Sequence, residues 1–363
     1  MVDGPNADLP RLSVTEDEQQ TALIADPRND ENAIVAQVHL AFLLAHNALV
    51  DAGASFDAAR RTLFWLYQWI VWNDYVSRIT EPAVFSLALV MNPTPDGRTA
   101  WESSFDDVYN WRNNPFMPLE FSVAAYRFGH SLVRDRYKTN FAKGFTDDDA
   151  VRIFSDDANN LGGFRRLERA RAVEWDWFLQ MESSVGEFPQ RARKFDTKLA
   201  EALRHMHEEK GNEGKDTFVA NVLAARNLLR GIRMELPSGT DVAKLLNVAP
   251  ISLGADEPDA LWFYIRKEAE AGGGEHLGTV GSIIVAATFA GLLLGDKLSF
   301  FNIEPGWTPD ADPLLAQLNS GGALTQDEGR WTLASIIRLS GMPVSAAQFP
   351  KESAGEGTPQ GPA

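Results

Sequence analysis

Two long stretches of helical period constrain this chain more than anything else in it. Residues 33–50 are apolar nearly all round, with Gln37, His39, His46 and Asn47 as exceptions. A helix of that kind is buried. Residues 57–79 follow, with Trp65, Trp69, Trp72, Val76 and Ile79 spaced by three or four positions, a stripe for core packing. The period returns in residues 218–233, where Phe218, Val222, Ala225 and Leu229 form the stripe, and in residues 258–271 and 276–294. Residues 194–209 and 330–339 read as further helices. Ser238 and Asp241 form a capping box for one more, starting after the Leu236–Gly239 stop. Residues 82–115 and 302–313 are loop-like and rich in breakers, with a possible strand at 84–90. Strands and helices do not alternate and no repeat recurs. The expectation is a mainly α, single-domain fold over residues 21–349.

The flanks read differently. Residues 1–20 are polar and acidic, and residues 350–363 are small and polar without a period, so both are expected to be loose tails. The first 20 residues have neither a basic start nor an apolar core, so nothing there reads as a secretory signal. The chain as it stands would be cytoplasmic, and secreted if an upstream segment belongs to it. The apolar run 283–294 is interrupted by Thr288 and Gly291 and falls short of the roughly 20 residues a bilayer span needs. No membrane span is expected.

Composition removes whole classes of chemistry. The 363 residues include no cysteine, which excludes disulfides, iron–sulfur clusters, thiolate zinc sites and cysteine nucleophiles. A net charge of −16 argues against nucleic acid or an anionic membrane as partner. There is no G-x-S-x-G and no H-E-x-x-H. His205-Met206-His207 is a poor metal site, because residues two apart on a helix point to nearly opposite sides. His39 and His46 read as hydrogen-bonded core histidines.

The stretch with chemical promise is residues 118–137, PLEFSVAAYRFGHSLVRDRY. As a helix it places Phe121, Ala125, Phe128 and Leu132 on a core stripe, with Pro118 in the first turn. Arg127, His130 and Arg134 fall on another face. Gly129 and Ser131 flank the histidine and leave room for something flat and wide. An axial imidazole with a nearby guanidinium is what haem iron and a haem propionate require. On spacing alone, a hydrogen-bonded structural histidine is the commoner reading.

The run AAYRFGHSLV resembles the proximal-histidine helix of the animal-type haem peroxidases, the peroxidase–cyclooxygenase superfamily, in its bacterial branch. Two other segments resemble that family in the same order. In DPRNDENAIVAQVHLAFLLAHN, the Asp and Asn residues would cap a helix, while the resemblance puts Arg28 on the arginine that polarises bound peroxide. It puts Glu31 on a carboxylate that in some members is esterified to a haem methyl. Asn32 stands where the best-known mammalian member has a methionine, so that member's extra haem linkage is not expected. In ARNLLRG, a polar helix face is the plain reading. The resemblance puts Asn227 on the residue that hydrogen-bonds the proximal imidazole, and Arg230 on a second arginine beside a propionate. The glycines of GEHLGTVG read as close helix packing rather than as a phosphate loop.

The resemblance implies a helical haem peroxidase: haem b on His130, held by Arg127 and Arg230, tuned by Asn227, with hydrogen peroxide and a small organic donor or a halide as substrates. The family segment carrying a Gln, an Asp-His pair and a calcium loop has no counterpart here, since no histidine precedes His39. No calcium site is therefore expected. Proton transfer in peroxide cleavage would lack its usual base, at a cost of about 10² to 10⁴ in rate, unless an upstream or partner segment supplies the distal histidine. A catalytically silent pseudoperoxidase, either haem-binding or a haem-free scaffold for interaction, is the alternative. A fatty-acid dioxygenase ranks last, because Arg127 occupies the position of that branch's radical tyrosine and Tyr126 is one residue off.

Overall fold

The computed structural model describes residues 8–12, 20–140, 150–155, 159–168, 171–181, 189–204, 206 and 221–344. The fold is mainly helical. Helix α1 (Ala33–Asp51) starts at Asn32, whose side chain accepts from the Ile34 N–H at 2.9 Å. It is long and apolar enough to cross a membrane by length and composition, and it packs against α2 (Phe56–Ile70) and the late helix α7 (Leu333–Ser340). Ser55 caps α2. The helical path continues through a wider, π-type turn, Val71–Val76, into Ser77–Ile79. Along it Trp65, Trp72, Val76 and Ile79 are buried and Trp69 is partly so, which matches the core stripe read from the spacing.

Pro82 opens α3 (Pro82–Ala88) in its first turn, where a missing N–H costs nothing. The strand suggested at 84–90 is therefore helix for most of its length. Strand β1 (Val90–Pro93) comes after it and pairs antiparallel with β2 (Thr99–Glu102), Val90 opposite Glu102. A second two-residue pair joins β3 (Arg136–Tyr137) to β4 (Val151–Arg152).

Helices α4 (Leu223–Arg233), α5 (Leu261–Ala271) and α6 (Thr279–Gly295) complete the frame. Of the helix expected at 194–209 only Glu201–Arg204 is helical among its described residues; His205 and His207 lie outside them. Ser238 caps the short helix Gly239–Leu245 by accepting from the Asp241 N–H, the half of the capping box that forms. Helix α6 is mostly apolar and largely buried, and it joins two core clusters: one with α2, α3 and the hairpin, the other with α5 and the His130 segment. Helices α5 and α6 approach closely at their glycines. A Cβ on Gly278 would lie 2.2 Å from Glu268 Cγ, and one on Gly281 2.7 Å from Ile265 Cγ2. The buried Glu268 carboxylate accepts the Val280 N–H at 3.0 Å and so caps α6.

Residues 8–12, expected in a loose tail, lie against the body instead. Leu9 is buried, and Arg11 is ion-paired to Asp30.

Candidate functional site

The segment carrying His130 is not one regular helix. A π-type turn, Glu120–Ala124, passes at Ala124 (φ −122°, ψ −72°) into a tighter 3₁₀ turn, Ala125–Ser131. The core stripe survives: Phe121, Ala125 and Phe128 are buried and Leu132 partly so. The change of winding alters what faces what. Arg134 points away, its Nη1 donating to the Arg191 carbonyl at 2.9 Å. Ser131 is buried, its hydroxyl bonded to the Phe128 carbonyl, so it does not flank an open side. Gly129 does, since a Cβ there would meet nothing within 4 Å.

Four of the sequence-expected residues come together. Asn227, buried on α4, places Nδ2 3.1 Å from His130 Nδ1. In this orientation the amide donates and the ring proton sits on Nε2. Half a turn of the amide presents Oδ1 instead, Nδ1–H donates to it, and the Nε2 lone pair is released. Nε2 has no hydrogen-bond partner among the described residues. Arg127 donates from Nε to the Ser122 carbonyl at 3.1 Å. Burial, with repulsion from Arg230, lowers its pKa. No carboxylate among the described residues is ion-paired to Arg127 or Arg230.

The electrostatic result is a neutral imidazole. Burial first, then Arg127, Arg266 and Arg230, push the His130 pKa down to about 4. Arg266 was missed in the sequence. It is buried on α5, lies 4.5 Å over the Trp262 ring and donates to the carbonyls of Asp196 and Lys198. Burial lowers its own pKa to about 10. The local pattern held little signal, because Arg266 heads the charged triplet Arg266-Lys267-Glu268 that follows the apolar run 261–265.

Arg28 and Glu31 stand apart from this group. Asp26 caps the 3₁₀ turn Pro27–Asp30. The Arg28 side chain is 79% exposed and ion-paired to Asp26 at 2.6 Å, which holds the Asp26 pKa down at about 2. Glu31 is exposed. No hydrogen bond or ion pair among the described residues joins Arg28 or Glu31 to His130. A cavity of about 830 Å³ lies between the two regions. Asn29, beside Arg28, and Tyr126, beside Arg127, both line it, with α1, α2, α6 and α7 contributing mostly apolar walls. His39 lines it too, with Nδ1 2.9 Å from Asn29 Nδ2, as a hydrogen-bonded histidine should. His46 departs from that expectation: its buried Nε2 has no partner among the described residues, and its ring lies 4.9 Å from Phe56.

Known proteins resemble the chain in the same direction. It is 31% identical to a peroxidase-like protein of Margaritifera margaritifera over 120 residues, 30% of this chain and 14% of that protein. It is 25% identical to thyroid peroxidase of Rattus norvegicus over 249 residues, 64% of this chain and 24% of the relative. It is 30% identical to thyroid peroxidase of Mus musculus over 132 residues, 33% of this chain and 13% of the relative. The chain thus spans at most about a quarter of the length of these relatives. The profile of the animal haem peroxidase family matches residues 4–252, well over half of the chain, and the chain belongs to that family.

Proposed function

We propose that this chain is the haem-binding part of a peroxidase, which reduces hydrogen peroxide while oxidising a small organic donor or a halide. Family membership supports peroxidase-type function and haem binding in general. The observation that carries the finer reading is the His130–Asn227 pair, with three arginines near enough to help keep the imidazole neutral. The residues fit haem b. His130 has one ring nitrogen engaged and the other without a partner among the described residues, and it stays neutral, as a metal ligand must. Arg127 and Arg230 are cations without acidic partners among the described residues, suited to two propionates. Gly129 leaves open space beside the imidazole. Bound haem supplies an iron that passes two electrons to peroxide and recovers them from the donor.

The protein's share of the chemistry follows from these positions. Asn227 orients the ring and, as acceptor on Nδ1–H, makes Nε2 the stronger donor. Arg28 polarises peroxide with its fork of N–H groups, which requires its exposed side chain to leave Asp26. Glu31 would be the residue to esterify a haem methyl, the methyl C–H bond giving up a proton and two electrons to peroxide. A proton must leave one peroxide oxygen and reach the other, and an upstream or partner segment carrying a distal histidine performs that transfer. The apolar cavity beside Asn29 and Tyr126, rimmed by the exposed Val35, Phe64, Tyr67 and Tyr75, is the surface such a segment would cover. No calcium site is part of this reading.

The second reading is a haem-binding scaffold without turnover, and the pairing of Arg28 with Asp26 favours it. Haem titration followed by stopped-flow peroxide decay, with and without an aromatic donor, separates the two. Donor-dependent decay supports the peroxidase. A haem complex inert to peroxide supports the haem-binding scaffold, and failure to bind haem leaves only a haem-free scaffold.

A further inference from the structure

The turn that carries Arg28 and Glu31 is gripped from both sides. On one side is Arg11, whose side chain is 9% exposed and whose partner Asp30 is 2% exposed. A guanidinium has five N–H donors, and here each has an acceptor. Nη1 donates to Asp30 Oδ2 at 2.7 Å and to the Gln20 carbonyl at 2.8 Å. Nη2 donates to Asp30 Oδ1 at 2.8 Å and to Asp8 Oδ1 at 3.0 Å. Nε donates to Asp8 Oδ2 at 2.9 Å. Asp8 also accepts the Leu167 N–H at 2.8 Å, which ties the segment to the far side of the turn.

The other grip is backbone. The Gly163 N–H donates to the Glu31 carbonyl, and the Phe164 N–H to the Asp30 carbonyl, both at 2.9 Å. A Cβ on Gly163 would lie 1.5 Å from the Asp30 carbonyl oxygen, so no other residue fits without moving the turn. The Ala33 N–H donates to the Leu161 carbonyl at 2.8 Å. Among the described residues, the Arg28 side chain is bonded only to Asp26.

We infer that residues 8–12 are part of the site: Arg11, through Asp30, is a positioning residue that sets where the Arg28 and Glu31 side chains start. The inference rests on the proposed roles of those two residues. A planar fork suits the task. Two parallel bonds to one carboxylate fix orientation as well as distance, where an apolar contact would let the turn slide. Breaking the fork would strand a buried Asp30 carboxylate and free the turn, while leaving His130 and Asn227 untouched on other segments.

The test compares Arg11→Gln, Arg11→Lys, Arg28→Gln and the double variant Arg11→Gln/Arg28→Gln in the ferric haem-loaded chain. The probe is fluoride, an anion whose binding to haem depends on a nearby donor. We expect Arg28→Gln to weaken fluoride binding by about tenfold, the scale of one lost charge-assisted bond. Arg11→Gln should weaken it to a similar degree, and the double variant no further than either single one. Arg11→Lys, which keeps the charge and loses the fork, should fall between. In the haem-free chain, Arg11→Gln should speed amide exchange over residues 28–33 and leave residues 127–131 unchanged. Should Arg11→Gln not fold, Asp8→Asn, which weakens the same cluster at a less buried position, takes its place. Arg11 variants that lower Tm but keep wild-type fluoride affinity, while Arg28→Gln loses it, would overturn the positioning role. If Arg28→Gln itself binds fluoride as wild type does, the proposed role of Arg28 fails and the positioning role fails with it.

Discussion

Asn227 Nδ2 lies 3.1 Å from His130 Nδ1, although the two residues are 97 positions apart in the chain. A buried amide that spends its side chain on one imidazole nitrogen leaves the other for a ligand. Replacing Asn227 with Ala strands His130 Nδ1 and should cost about 1–3 kcal/mol, lowering Tm by a few degrees in a scanning calorimeter. Haem affinity, read by optical titration, should fall about 10- to 100-fold. Asn227→Asp, which keeps an acceptor, should recover most of the affinity.

The pH dependence has a definite sign. The His130 pKa is depressed in the fold to about 4, against an ordinary value of 6.5, so between those values the unfolded chain binds the extra proton. Stability is fully present above about pH 6.5 and is lost as pH falls towards 4. The ring is partly exposed, which limits the effect to about 2 kcal/mol. His39, depressed by burial, acts in the same direction. Urea unfolding at pH 7 and pH 5 should show the loss, and His130→Gln should shrink it.

Arg127 and Arg230 repel each other and the His130 proton. Arg230→Gln should therefore raise the His130 pKa, which NMR of the ring protons reads directly. The same variant should weaken haem binding by about tenfold if a propionate is its partner. Haem dimethyl ester is the control: with the carboxylates masked, wild type and Arg230→Gln should bind it alike.

Gly278 admits Glu268 where a Cβ would lie 2.2 Å from its Cγ. Gly278→Ala should push α5 from α6, disturb the carboxylate cap on α6 and cost about 1–3 kcal/mol, measured as a shift in the urea midpoint with little change in slope.

Much of this was legible in the sequence, and the failures have physical causes. Periodicity located α1 and α2, and Trp65 and Trp72 sit where the stripe put them, but the all-round apolar α1 is buried on one face only: Ala36, Leu40, Ala45 and Leu49 are inside while Val35, Leu43 and Val50 are exposed. Periodicity placed Arg134 beside His130 wrongly, because the chain tightens into a 3₁₀ turn after Ala124 and the faces rotate. Val84 and its neighbours look β-prone, yet Pro82 supplies a helix start and Val84 and Ala88 turn into the core on one helical face. Arg11 was read as tail because an ion pair to Asp30, 19 positions away, leaves no local pattern. Arg266 was hidden for a like reason: its acceptors are carbonyls of a distant loop. The gathering of Arg127, His130, Asn227 and Arg230 was foreseen from the family resemblance and not from spacing.

The most direct test of the account is complementation of the His130→Gly chain with free imidazole, followed by visible and EPR spectra of the ferric haem complex. Loss of the wild-type Soret band in His130→Gly, restored by millimolar imidazole with the spectrum of a histidine-ligated haem, is the predicted result. Wild-type spectra from His130→Gly without any imidazole would contradict it.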